Sequence, residues 1–416
     1  MLLSAIAKSD PQVYELIIAE KLRQENCIRL IPSENYVSQA VMDATGSCFT
    51  NKYAEGYPGK RYYEGQQFTD QVENLAIERA KKVFSADGAN VQPHSGSFAN
   101  MAAYCALAAP GDTIMGLSLP HGGHLTHGWK VSYTGKFFKS IQYELDIATG
   151  RLDYNKIADL AKQHKPKIII SGATAYPRVI DFKAFEDIAK AVGAFHVSDM
   201  AHIAGLIAGG VHMSPVPYSD VVTTTTHKSL RGPRGGMILF KEQHAAAVNK
   251  AVFPGLQGGP HIHTISALAV CMGEALTPAF KTYAAQIVAN AKRLAEKLME
   301  YGFNLVSGGT DNHLMLIDLR NKNLAGKPFA KALDRAHLEC NYNSVPGDTA
   351  PPFNPSGLRL GTPATTTRGM KEPQMELIAA WIKTVAENIE NEAVIDKVGK
   401  EVMALCKQFP IKEAFV

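Results

Sequence analysis

A lysine, an aspartate, a stretch of small hydroxyl residues and an arginine have the types and settings that could do chemistry here. Lys228 closes the run Val221-Val-Thr-Thr-Thr-Thr-His-Lys, which is largely β-branched and free of glycine and proline. Such a run reads as a strand, and Gly232, Pro233, Gly235 and Gly236 would shape the tight turn after it. A lysine at the carboxyl end of a strand in an open α/β sheet points into the crevice where ligands bind. Desolvation there lowers its pKa, and the free amine can form a Schiff base with a carbonyl. The competing reading is a solvated loop lysine, as most lysines are.

Asp199 ends a second strand pattern, Ala194-Phe-His-Val-Ser198, only 29 positions before Lys228. Two strand ends so placed are consistent with neighbours in one mainly parallel sheet. A Schiff-base lysine with an acidic partner for a pyridinium nitrogen is the arrangement of pyridoxal phosphate sites; Asp199 could equally cap the segment after it. Gln92-Pro-His-Ser-Gly-Ser97 leads into an Ala-rich helix from about Ser97 to Ala108. Small residues at a helix start leave N–H groups free for an anion such as phosphate, although a serine there is also a plain N-cap. Arg359 sits in a short apolar strand, where an unpaired guanidinium is costly. It must meet either an acidic residue or a ligand carboxylate.

Two loops stay open on residue types alone. Asn51 to Gly65 carries four tyrosines with Glu55, Glu64, Lys60 and Arg61, has no helical or strand period, and reads as an extended loop for a binding site or an interface. His121, His124 and His127 lie in a Gly-flanked loop without an acidic ligand, so stacking on a flat group fits better than a metal.

The elements that must position these residues follow from periodicity. Helices are expected over Asp10–Asn26 (Val13, Leu16, Ile17 and Ala19 apolar), Thr69–Phe84 (Val72, Leu75, Ala76, Ala80 and Val83 on one face), Phe182–Val192, Lys281–Tyr301 and Met375–Glu390. Strands are expected over Asp112–Leu117, Lys167–Ser171 and Leu314–Leu319. With 416 residues, 46% hydrophobic and 20% charged, the chain suits a globular enzyme with more than one domain. The net charge of +4 is spread rather than clustered, which argues against nucleic acid as a partner. No apolar run reaches membrane-spanning length, and the six cysteines are scattered without metal or disulfide spacing. A cytoplasmic protein with reduced thiols is expected.

The order of eight motifs is more specific than any one of them. They are 30–36 (Leu-Ile-Pro-Ser-Glu-Asn-Tyr), 51–63 (Asn-Lys-Tyr-Ala-Glu-Gly-Tyr-Pro-Gly-Lys-Arg-Tyr-Tyr), 92–97, 121–128 (His-Gly-Gly-His-Leu-Thr-His-Gly), 199–202 (Asp-Met-Ala-His), 223–228, 232–236 and 253–260. The chain resembles serine hydroxymethyltransferases over essentially its whole length. The resemblance implies an aspartate-aminotransferase-like α/β fold (fold type I). It would have an N-terminal helical arm (1–50), a large pyridoxal-phosphate domain with a mainly parallel sheet (51–280) and a smaller α+β C-terminal domain (281–416). It also implies interconversion of L-serine and glycine through an external aldimine and a quinonoid, with the one-carbon unit passed to tetrahydrofolate. Side cleavage of 3-hydroxy amino acids is expected as well.

Carried over by position, Lys228 would hold pyridoxal phosphate, Asp199 its ring nitrogen and His124 its face, with Thr174 and His202 near the phenolic oxygen. Ser95, Gly96 and Ser97 would hold the phosphate, joined across a homodimer interface by Tyr53, Gly258 and Gly259, and Thr225 would also bind the cofactor. Arg359 would clamp the substrate carboxylate with Ser33 and Tyr63 nearby. Glu55 of the partner would move the proton of the hydroxymethyl group, with Tyr53, His227 and His202 also at the reacting centre. Leu119, Gly123, His124, Leu125, Asn343, Pro351, Pro352 and Phe353 would receive folate. No metal is implied. The sequence departs from the family pattern at Thr174, where serine is expected, at Glu64, where glycine is more usual, and at Pro120, Trp129 and Pro351-Pro352 beside the folate loops. A folate-free aldolase on the same fold is the main rival.

Overall fold

The computed structural model describes residues 2–411, with side chains from residue 5 onward; Met1 and residues 412–416 lie outside the description, including the end of the expected 281–416 domain. The centre is a seven-stranded sheet: β1 (Gly88–Asn90), β2 (Thr113–Leu117), β3 (Lys139–Tyr143), β4 (Ile168–Ser171), β5 (Phe195–Asp199), β6 (Val221–Thr225) and β7 (Gly236–Phe240). Its spatial order is β1-β7-β6-β5-β4-β2-β3. The five strands from β6 to β3 run parallel, whereas β7 is antiparallel to both of its neighbours. The β-branched and apolar runs are explained by cover on both faces. Met115, Leu117, Ile169, Val222 and Leu239 enter one buried cluster, while Ile114, Ile168, Ile170, Val221 and Ile238 enter another.

A second sheet is antiparallel: β8 (Asn304–Leu305), β9 (Leu314–Asp318), β10 (Asn341–Asn343) and β11 (Gly357–Gly361), in the order β8-β9-β11-β10. The short strand Ile28–Arg29 pairs in parallel with Leu338–Glu339 and buries Ile28 and Leu30 in the cluster beneath this sheet. Arg368 reinforces that tie. Its buried guanidinium donates to the carbonyls of Glu25, Cys27, Cys406 and Phe409.

Five helices frame the site: α1 (Pro11–Asn26), α2 (Gln67–Phe84), α3 (Gly96–Leu107), α4 (Ile262–Ala275) and α5 (Pro278–Glu300). Helix α1 starts where expected, with Asp10 as N-cap and proline in its first turn. Its apolar residues are not in the core, however. Val13, Leu16 and Ile17 are exposed among the described residues. Helix α2 is rotated from the face periodicity suggested: Leu75 is exposed, and Thr69, Glu73, Ala76, Ala80 and Phe84 are buried. The reason is a buried polar network. Glu73 pairs with Arg61 at 2.5 Å and accepts from Gln92 at 2.7 Å. The tyrosine-rich loop, expected to lack regular structure, contains a small ribbon pairing Gly56–Tyr57 with Lys60–Arg61.

The turn after β6 also differs from expectation. Arg231, not a glycine, takes the left-handed backbone at φ 66°. Gly232 and Gly236 serve close approach instead. A Cβ on Gly232 would lie 2.7 Å from Cys271 Sγ, and one on Gly236 would lie 2.4 Å from the Ser95 carbonyl oxygen.

Candidate active site

Strands β5 and β6 pair in parallel, with Asp199 opposite Thr223. Asp199 is the last residue of its strand, and Lys228 lies three residues past the end of β6 in the turn. That turn is pinned. Asn35 donates to the Lys228 carbonyl at 3.1 Å, and Ser229 Oγ donates to the His202 carbonyl at 2.9 Å. Lys228 is buried, with 9% of its surface exposed. Burial brings its pKa down to about 8, against the pull of Asp199, with Arg359 and Arg234 lowering it further. An amine so placed has lost much of its preference for the charged, unreactive form.

Asp199 is held ionised. Burial alone would raise its pKa. The hydrogen bonds from His127 and Asn100 outweigh burial and hold the carboxyl well below its usual range. His127 Nε2 and Asn100 Nδ2 reach Asp199 Oδ2 at 3.1 and 2.8 Å, and the Ala201 N–H reaches Oδ1 at 3.0 Å. His124 is brought down to about 4, chiefly by burial, and stays a neutral ring.

The hydroxyl stretch stands at the start of α3. Ser95 is its N-cap, accepting from the Phe98 N–H at 3.3 Å, which leaves the first N–H groups of the helix, at Gly96 and Ser97, facing outward. A Cβ on Gly96 would come within 2.6 Å of Thr225 Cγ2, so only glycine lets helix and strand close up here. Thr225 Oγ1 is buried without a protein partner. Gln257 braces the approach to the helix, accepting from the His94 N–H at 3.0 Å and donating to the Gln92 carbonyl at 2.9 Å.

Arg359, on β11, answers the question the sequence left open. No described carboxylate pairs with it. Its Nε donates to Asn341 Oδ1 at 3.0 Å and its Nη1 to the Thr174 carbonyl at 2.6 Å, and burial brings its pKa down to about 10. Burial depresses His202 most, and the charges of Lys228 and Arg359 lower it further; its Nδ1 lies 3.3 Å from His313 Nε2. Ser33 and His227 line a cavity of about 480 Å³ with Asn35 and Arg234. His227 Nδ1 is buried there without a partner. The Thr174 hydroxyl turns toward the Gly122 and Gly123 carbonyls, at 3.2 and 3.3 Å.

Tyr53, Glu55, Tyr63, Gly258 and Gly259 form a group of their own. Tyr53 donates to Glu55 Oε1 at 2.8 Å and meets the Tyr63 ring edge-on at 5.2 Å. A Cβ on Gly258 would reach Glu55 at 3.0 Å, and one on Gly259 would reach the Tyr53 ring at 2.9 Å. Tyr53 and Tyr63 are half exposed, at 54% and 49%. Of the residues expected around folate, Gly123 is buried, Leu119 half-buried, and Leu125 and Phe353 exposed. The Pro351–Phe353 turn is anchored by Asp348, which accepts from the Ala350 and Ser356 N–H groups at 2.9 Å. Asn343 Nδ2 donates to the carbonyl of Ser344.

Family comparison decides what this arrangement belongs to. The family model described as serine hydroxymethyltransferase matches residues 6–382. The chain belongs to the serine hydroxymethyltransferase family. It is similar to a serine hydroxymethyltransferase of Acidothermus cellulolyticus, 58% identical over 98% of this chain and 97% of the relative. Those of Desulfotalea psychrophila and Sorangium cellulosum are 59% and 58% identical, each over 98% of this chain and 96% of the relative. Serine hydroxymethyltransferases depend on pyridoxal phosphate and take tetrahydrofolate as co-substrate. The site fits that cofactor. It offers a buried amine, an ionised acid for a pyridinium nitrogen, free N–H groups at a helix start, and an unpartnered Thr225 hydroxyl.

The sequence reading missed Asn100, Thr126, His313 and Gln257. Asn100 had a signal: it is a polar residue, 1% exposed, in the middle of an Ala-rich helix. Among the described residues no group of three His, Cys, Asp or Glu side chains is arranged to hold a metal. His121 Nδ1 instead accepts from the Leu145 N–H at 3.0 Å. No described helix is long and apolar enough to cross a membrane, and all six cysteines are free.

Proposed function

We propose the following division of labour at this site. The chain is a pyridoxal-phosphate-dependent transferase that reversibly interconverts L-serine and glycine, passing the hydroxymethyl carbon of serine to tetrahydrofolate to give 5,10-methylenetetrahydrofolate. The bound cofactor supplies an electron sink for the substrate α-carbon. Lys228 would hold it at its carbonyl carbon, through an amine that burial makes easier to deprotonate. Asp199 accepts the pyridinium N–H, which keeps the ring electron-withdrawing. His124 would cover the ring face, with Thr174 and His202 toward the phenolic oxygen. Ser95, Gly96, Ser97 and Thr225 hold the phosphate.

Arg359 binds the substrate carboxylate through its free guanidinium edge, with Ser33 and Tyr63 alongside. Glu55, with Tyr53, comes from the partner of a homodimer and takes or returns the proton of the hydroxymethyl oxygen. His227 closes the site beside Lys228. Leu119, Gly123, Leu125, Asn343 and Pro351 to Phe353 receive folate. Residues 51–280 and 281–416 act as the large and small domains of a fold-type I enzyme, with 1–50 as its arm, in the cytoplasm. Cleavage of 3-hydroxy amino acids accompanies the main reaction.

The observation that carries this reading is an ionised aspartate at the end of β5 and a lowered lysine in the turn after the parallel neighbour β6, with an arginine that no described carboxylate pairs. Absorption spectroscopy tests it. Protein loaded with pyridoxal phosphate should show a visible band, and glycine with tetrahydrofolate should raise a longer-wavelength band that glycine alone does not. A visible band without a folate response would leave a folate-free aldolase. No band at all would overturn the role of Lys228.

A further inference from the structure

We infer that Asn100 and Thr126 are positioning residues that lock Asp199 and His124 to one another, so that the acid for the ring nitrogen and the histidine for the ring face are oriented as one unit. The inference rests on the reading of Asp199 and His124 given above. Four pieces of chain meet in it: β5 (Asp199), β6 (Thr223), α3 (Asn100) and the 119–128 loop (His124, Thr126 and His127).

Hydrogen-bond valence fixes every direction in the unit. An ionised carboxylate only accepts, so the amide of Asn100 must turn its nitrogen, not its oxygen, toward Asp199. One Nδ2 hydrogen goes to Asp199 Oδ2 at 2.8 Å and the other to Thr126 Oγ1 at 2.7 Å. Asn100 Oδ1 is then left to accept from the Thr223 hydroxyl. Thr126 Oγ1, having accepted, spends its single hydrogen on His124 Nδ1 at 2.7 Å, the same nitrogen that takes the Thr126 backbone N–H at 3.2 Å. His124 Nδ1 is therefore bare, and its proton sits on Nε2. In parallel, the His124 backbone N–H reaches His127 Nδ1 at 3.2 Å, which places the His127 proton on Nε2, facing Asp199 at 3.1 Å. Both rings are thus fixed as Nε2–H tautomers by two branches from one anion, one through Asn100 and Thr126 to His124 and one directly to His127.

Asn100, Thr126 and His127 are all buried, at 1%, 7% and 1% exposure. A fully satisfied network in such surroundings specifies orientation strongly, and a half-satisfied one is costly. Removing the Thr126 hydroxyl would leave Asn100 with an unused donor and His124 with a weaker hold on its tautomer. It would leave the His127–Asp199 contact intact.

Full-length protein labelled with ¹⁵N in histidine, with and without pyridoxal phosphate, provides the test. Wild type should show both His124 and His127 as Nε2–H tautomers. In Thr126→Val the His124 ring nitrogens should shift toward a tautomer mixture while those of His127 stay put. The cofactor should dissociate about tenfold more readily, and kcat should fall with the KM for serine within about twofold. Thr126→Ser should restore all of these. Asn100→Leu should move the ring nitrogens of both histidines; should that variant fail to fold, the Val and Ser pair decides alone. Unchanged His124 nitrogens in Thr126→Val, or a Thr126→Ser that rescues nothing, overturn the inference. Borohydride trapping of the cofactor on Lys228 separates the two readings. Its failure removes the assigned cofactor site, whereas the ring nitrogens of cofactor-free protein still decide the unit.

Discussion

Lys228 is kept where its charged form is poorly solvated, and that reactivity has a stability cost. With a folded-state pKa near 8 against 10.5 for a free lysine, the cofactor-free chain holds one proton fewer than the unfolded chain between those pH values. Stability contributed at this position therefore rises with pH through that window, and the full cost, roughly 3 kcal/mol, is present below pH 8. Cofactor-free Lys228→Met should unfold at higher denaturant than wild type at pH 7, with the gap closing toward pH 10; a gap independent of pH would contradict the burial argument. Arg359 is the complementary case, a guanidinium whose only described partners are Asn341 and the Thr174 carbonyl. Arg359→Ala should raise the KM for serine about a hundredfold, the worth of a charge-assisted pair of hydrogen bonds, while leaving cofactor affinity within a few-fold. Both residues stood out in the sequence because a charged side chain at the end of, or inside, an apolar strand needs a reason.

Elements place these residues, and here the sequence was a partial guide. The strand and helix patterns around β4, β5 and β6 were legible because each is short, apolar and bounded by turn residues. The buried face of α2 was not, because a glutamate inside a core reads as a surface residue until its partners, Arg61 and Gln92, are known. The brace at Gln257 is invisible for the same reason: it joins residues 92–94 to the segment before Gly258 across more than 160 positions. Its amide holds the strand-to-helix passage that ends in Ser95, Gly96 and Ser97. Gln257→Leu should weaken pyridoxal phosphate binding by about tenfold with little change in the circular dichroism spectrum. Unchanged cofactor affinity would show that the helix start holds itself.

At the scale of the molecule, two surfaces of the chain are unfinished. Among the described residues the apolar side of α1 is exposed, and Tyr53, Glu55 and Tyr63 gather with Gly258 and Gly259 in a group of their own. The proposed homodimer, exchanging these groups, would account for both. Glu55→Gln and Lys228→Ala chains should each be nearly inactive, and mixing them by co-expression should recover activity through hybrid dimers with one intact site. No recovery, with hybrids demonstrated by differential tags, would place Glu55 in the site of its own chain.

The sequence by itself determined the family, through ordered motifs, and it singled out the lysine, the aspartate, the helix start and the arginine on which the proposed chemistry rests. Those are local facts, since a residue's type and the period of its own segment are enough to read them. Tertiary structure decided what holds that chemistry in place. Asn100 on a helix, Thr126 in a loop and Thr223 on a strand converge on Asp199 only once the sheet is assembled. The left-handed residue of the key turn proved to be Arg231, with the glycines reserved for close contact. Hydrogen-bond partners distant in sequence leave no periodicity, and packing alone chooses among them.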